Sequence, residues 1–129
     1  MGREQAADKG LVYVVEDEPL LLELAEVILQ QEGFTTKLFF SGEQMLDELR
    51  SGKSQPRLLI TDYVLGGMNG IELIAESKKI IPALKTILLS GTVDERFAEQ
   101  QPIKPDRFLP KPYNVRSLVD AVRSVCVVG

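Results

Sequence analysis

The chain contains no histidine and no tryptophan, and its one cysteine is Cys126. A single thiol cannot close an internal disulfide, and the usual zinc ligand sets built from cysteine and histidine are out of reach. A reducing, cytoplasmic setting is therefore expected. An excess of positive charge is also missing: 15 Lys and Arg stand against 19 Asp and Glu, a net charge of −4. Direct binding to nucleic acid or to an anionic membrane surface needs a basic face and is not expected. There is no long hydrophobic run. The most apolar stretch, Leu20 to Leu29, is interrupted by Glu23 and Glu26 and is too short to span a bilayer. The first nine residues are polar, without the apolar centre of a secretory signal, and Ala6 stands where a myristoylation signal wants Ser or Thr. Internal repeats and low-complexity segments are absent as well.

What is there fits one ordinary domain. A length of 129 residues leaves little room for a second module, and 44% apolar residues suffice for a buried core. Residues 1–9 read as a flexible tail and residues 10–129 as the domain. From Leu11 onward, short apolar runs alternate with segments of helical spacing, the rhythm of strand-helix units in a parallel sheet. Leu11 to Val15, Leu58 to Ile60 and Ile87 to Leu89 are continuous apolar runs, as expected of inner strands covered on both faces. Thr35 to Phe40, and Arg107 to Leu109 beside prolines, suit strands nearer the edges.

Five helices are expected between them. The first runs from Pro19 to Gln31 with Leu21, Leu24, Ala25 and Ile28 on its apolar face, and Gly33 ends it. Ser41 with Gln44, Asn69 with Glu72, and Thr92 with Glu95 have the spacing of reciprocal caps, placing the next three helix starts. The last follows Asn114 and carries Val115, Leu118, Val122 and Val125 on one stripe. Cys126 continues that stripe as a small core residue. The fold class expected is α/β, a flavodoxin-like (βα)5 three-layer sandwich around a parallel five-stranded sheet of order 2-1-3-4-5.

The polar residues then fall at telling positions. Glu16 and Asp17 follow the first strand, Asp62 the third, Ser90 ends the fourth, and Lys111 follows the fifth. In an open parallel sheet the carboxyl ends of the strands share one edge, and ligands bind beside the point where strand order reverses. That point lies between the first and third strands, so Glu16, Asp17 and Asp62 should share one crevice. Each acid alone would be an ordinary solvated loop residue; the constellation points to a site. Crowded carboxylates need a neutralising cation, for which Mg²⁺ and Lys111 are the candidates. With such help an Asp carboxylate can act as nucleophile toward phosphorus, Asp62 attacking while Lys111 and Ser90 grip the phosphoryl oxygens.

Five motifs carry a family resemblance: Val14-Val15-Glu16-Asp17-Glu18-Pro19, Leu59-Ile60-Thr61-Asp62-Tyr63-Val64-Leu65, Met68-Asn69-Gly70, Leu89-Ser90-Gly91 and Phe108-Leu109-Pro110-Lys111-Pro112. In this order and spacing, the span from Leu11 to about Val127 resembles the receiver domain of response regulators in two-component signalling. The resemblance implies a phosphoprotein with Asp62 as phosphoacceptor. It also implies Mg²⁺ held directly by Asp17 and Asp62, through water by Glu16, and by the carbonyl of Val64. Ser90 and Phe108 would be the switch pair. Such a domain is a signalling module, not an enzyme beyond its own phosphorylation and dephosphorylation. Its partners would be a histidine kinase or histidine phosphotransfer protein as donor, since this chain has no histidine to phosphorylate. An output protein or domain would meet the face of the fourth helix, fifth strand and fifth helix, where Arg96, Glu99 and Phe108 are candidate contacts. A homodimer is compatible with this reading.

Four positions depart from the family pattern: Gly66 followed by Gly67 replaces a frequent proline, Ser90 a frequent threonine, Gly91 a frequent alanine, and Phe108 a frequent tyrosine. The Gly-Gly loop is conformationally freer, and Phe108 would turn inward by apolar burial alone. Two other readings compete. A degenerate receiver could serve only as an interaction module, and an aspartate-nucleophile phosphatase would also form an aspartyl phosphate. The latter wants a second Asp two residues after the first, where Val64 stands.

Overall fold

The computed structural model describes residues 9–126. Residues 1–8 of the proposed 1–9 tail, and the last three residues, lie outside the described part. Lys9 is tied down, its amide donating to the Gly33 carbonyl at 2.8 Å. The elements in chain order are β1 (Leu11–Val15), α1 (Pro19–Gln31), β2 (Thr35–Phe39), α2 (Gly42–Ser51), β3 (Leu58–Asp62), α3 (Gly70–Ile80), β4 (Lys85–Ser90), α4 (Glu95–Glu99), β5 (Arg107–Pro110) and α5 (Val115–Val125). All strand pairings are parallel, as the alternating rhythm predicts, and the order is β2-β1-β3-β4-β5, that of the expected flavodoxin-like class.

Successive residues of a strand face opposite sides, and the core divides accordingly. Val12, Val14, Leu58, Ile60, Ile87 and Leu89 pack under α1 and α5, through Leu22, Ala25, Ile28 and Leu29 of the first helix and Leu118, Ala121 and Val122 of the last. Tyr13, Val15, Phe39, Leu59 and Leu88 pack under α2, α3 and α4, through Met45, Leu46, Leu49, Leu73, Ile74 and Ala98. Burial on both faces is why β1, β3 and β4 read as unbroken apolar runs. Cys126 lies in the first of these cores, where burial pushes its thiol pKa up.

Several expectations about the helices need correction. On α1 the buried residues are Leu22, Ala25, Ile28 and Leu29, while Leu24 is exposed, so the apolar face is turned from the one read in sequence. The helix is apolar almost all round, and periodicity alone cannot fix its orientation. Val115 opens α5 and points outward, half-exposed. The fourth helix does not start at Thr92. Its cap is Asp94, whose carboxylate accepts from the Phe97 amide at 2.9 Å. Asn69 and Glu72 form the expected reciprocal cap of α3. Ser41 caps α2, with Gln44 reaching back one residue further than expected, to the Phe40 amide.

The edge strand β5 is pinned by side chains before its ladder begins. Asp106 Oδ2 accepts from the Thr86 amide at 2.8 Å, the Thr86 hydroxyl at 3.1 Å and Lys78 Nζ at 3.2 Å. Burial alone would raise the Asp106 pKa, but these donors outweigh it and hold the carboxyl below its ordinary value of 3.8. A depressed carboxylate pKa contributes stability that is complete above the unfolded value and lost as pH falls through the folded one. The Asp106 contribution should therefore disappear only below about pH 3.8. Asp106→Ala would strand the buried Thr86 amide and should lower stability by about 1–3 kcal/mol in urea unfolding at neutral pH. An unchanged midpoint would show that β5 is held by its ladder alone.

Candidate functional site

Strand register builds the site. Val15 is level with Thr61 across the β1–β3 pair, so the residues that follow, Glu16 and Asp62, come side by side. Asp62 is itself the last residue of β3, two residues further along the strand than its apolar run suggested. Asp62 is level with Leu89, which places Ser90 one position beyond, and Ser90 is level with Pro110, after which comes Lys111. The ladder continues past the strands: the Glu16 amide donates to the Phe39 carbonyl, Tyr63 to Leu89, and Lys111 to Ser90.

Lys111 closes the crevice. Its ammonium donates to Glu16 Oε1 and to Asp62 Oδ2, both at 2.9 Å. Glu16 is almost wholly buried and also accepts from the Glu18 amide at 3.2 Å. One oxygen each from Glu16, Asp17 and Asp62 lie within 4.8 Å of one another. Asp17 is the exposed member of the three. Desolvation by burial is the largest influence on Glu16 and, with the Asp62 charge, raises its pKa in spite of Lys111. Burial would depress Lys111, but its hydrogen bonds to the two carboxylates prevail and raise it. The donor set, three hard carboxylate oxygens converging at one open edge, suits a divalent cation of the Mg²⁺ kind.

The other expected residues sit around this centre in different ways. The Ser90 side chain is buried, and its Oγ accepts from the Thr92 and Val93 amides, each at 3.0 Å. Val64 is half-exposed in the loop after β3. Phe108 is half-buried against the core under α2, α3 and α4. It lines a groove of about 530 Å³ with Arg96 and Glu99 of α4.

Two residues named in the sequence contribute in ways it did not show. Gly70 opens α3 hard against β3: its amide donates to the Tyr63 carbonyl at 2.8 Å, and a β-carbon there would collide with the Asp62 carbonyl oxygen. A glycine in a helix start is the sequence signal for such an approach. Thr92, read as a helix cap, instead places its hydroxyl 3.2 Å from Ser90 Oγ.

The sheet order, the acidic crevice and its lysine define a protein class, and comparison with known proteins identifies it. Residues 12–123 match the response regulator receiver domain, and the chain belongs to that family. It is a signalling domain of two-component systems. It is 29% identical over 126 residues to the sensor kinase CckA of Brucella abortus, covering 95% of this chain and 13% of that protein. It is 32% identical over 116 residues to the transcriptional regulatory protein CreB of Escherichia coli, covering 88% of this chain and 49% of CreB. The chain thus spans about half or less of the length of these relatives. Among solved structures, the response regulator TrrA of Thermotoga maritima in complex with Mg²⁺ and BeF aligns with a TM-score of 0.77 and 28% identity, over 89% of this chain and 97% of that one. The phosphatase alternative is not favoured by this membership, nor the degenerate module by a crevice that keeps its three acids and lysine. No helix among the described residues is long and apolar enough to cross a membrane.

Lys111→Met should make the cost of the crowded acids visible. A carboxyl whose folded pKa is raised contributes stability below its unfolded value and loses it as pH rises through the folded one. Glu16 starts from an ordinary value of 4.5. Without Lys111 it should rise further, so the variant's deficit relative to the parent should grow between pH 5 and 8 in paired urea titrations. A deficit independent of pH would mean that Lys111 acts through packing alone.

Proposed function

We propose that Asp62 is the phosphoacceptor of this receiver domain, taken as residues 10–129, and that Glu16, Asp17, Asp62 and the Val64 carbonyl hold Mg²⁺. The observation that carries the reading is the Lys111 ammonium bridging Glu16 and Asp62. It places a cation where the equatorial oxygens of an incoming phosphoryl group would lie beside Asp62. When bound, Mg²⁺ supplies positive charge that shields phosphoryl oxygens from these acids. A carboxylate oxygen of Asp62 forms the new bond to phosphorus as the donor's nitrogen–phosphorus bond breaks, its electron pair returning to the imidazole. Lys111 has three N–H donors and uses two on carboxylates, so one serves a phosphoryl oxygen. Ser90 donates to another. Its displacement opens space for Phe108 to turn inward, a population shift read on the surface of Arg96, Glu99 and Phe108.

The donor is a histidine kinase or histidine phosphotransfer protein in the cytoplasm, since the chain has no histidine of its own. It must approach the crevice mouth, where Leu21, Leu24, Pro112 and Tyr113 form an apolar rim beside Lys111. The output partner takes the face of α4, β5 and α5, where Arg96, Glu99 and Phe108 line a groove.

Intact-mass measurement after incubation with acetyl phosphate and Mg²⁺ tests the acceptor. One phosphoryl group should be gained, and the gain should vanish without Mg²⁺ and in Asp62→Asn; phosphorylation that survives the substitution would refute the assignment. Lifetime tests a second point. Val64 offers no side-chain hydrogen bond to an attacking water, so the phosphorylated state should be long-lived. Val64→Asn should shorten it roughly tenfold by orienting that water. An equal or longer half-life would count against this role.

A further inference from the structure

The Ser90 hydroxyl is already committed in this structure. A serine hydroxyl has two acceptor sites and one hydrogen to donate. Both acceptor sites are filled by the Thr92 and Val93 amides at 3.0 Å. With both acceptor sites taken, the remaining contact, to Thr92 Oγ1 at 3.2 Å, is assigned as one that Ser90 donates. We propose that Thr92 is a positioning residue for phosphorylation, holding the Ser90 hydroxyl hydrogen in the turn after β4 and so competing with the phosphoryl group for it. This rests on the reading of Ser90 as a phosphoryl contact.

The competition follows from a single hydrogen. Ser90 is almost wholly buried, so water cannot readily replace a lost partner, and its one O–H serves either Thr92 or a phosphoryl oxygen. The two amide bonds are compatible with both, because they use only the oxygen's lone pairs. They do not compete for the hydrogen, so it is the hydrogen that decides between Thr92 and the phosphoryl group. The exposed Thr92 side chain can therefore tune the equilibrium without touching the core, and it explains why a threonine with cap spacing does not cap α4.

Thr92→Val keeps the shape and removes the competing acceptor. Beryllofluoride with Mg²⁺, a stable mimic of the phosphoryl group, serves as the probe, and its affinity is read by fluorine NMR titration of the full chain. Loss of one competing hydrogen bond should tighten the affinity about three- to tenfold. Mg²⁺ affinity without beryllofluoride should not change. In a Ser90→Ala background the same substitution should have no effect, a null that a structural or direct role of Thr92 would not give. Equal or weaker binding by Thr92→Val, or a gain that persists without the Ser90 hydroxyl, would overturn the proposal and leave Asp62 as acceptor untouched. Failure of the parent chain to bind the probe would overturn both.

Discussion

Carboxylates crowded at one sheet edge repel one another, and a cation held among them offsets that repulsion; the arrangement of the crevice follows from that constraint. Lys111 supplies the charge from the far side of β4, reaching across to Asp62 and Glu16. Its position depends on β5 being in register, which the Asp106–Thr86–Lys78 bonds secure at the other end of the strand. The Glu16 carboxyl bears the cost, with its pKa pushed up by burial. A site held this way is poised for a divalent cation and a phosphoryl group, because both relieve a repulsion that the protein alone only partly offsets.

Much of this was legible before any coordinates. The inner strands announce themselves because both faces are covered, and the five polar residues of the site fall at strand ends, where chain order and sheet order together place them on one edge. The difficulties lie where two local rules compete. Thr92 with Glu95 has the spacing of a reciprocal cap, yet Asp94 caps the helix and the Thr92 hydroxyl lies against Ser90 in the turn after β4. Leu21 and Leu24 look like core on a helix that is apolar nearly all round, and only the packing of Leu22 and Leu29 decides its rotation. Gly70 marks a close approach whose partner, the Asp62 backbone, sequence spacing does not name.

The loop after Asp62 shows how a departure from the family pattern is accommodated. Where a proline is frequent, Gly66 and Gly67 leave the backbone freer, yet the segment is anchored from outside. Glu43 at the start of α2 accepts from the Met68 amide at 3.3 Å, and the Asn69–Glu72 cap fixes the far end. Restraint that proline would supply covalently comes here from a neighbouring helix.

The division of the core by the sheet has a consequence for traffic across the molecule. Leu109 faces the side of α1 and α5, while its neighbour Phe108 faces the side of α4. The apolar rim by Leu21 and Leu24 and the groove by Arg96 and Glu99 are thus separated by a wall one strand-layer thick. What joins the two sides is the small set of side chains at the sheet's carboxyl edge, where Lys111 reaches Asp62 and Glu16.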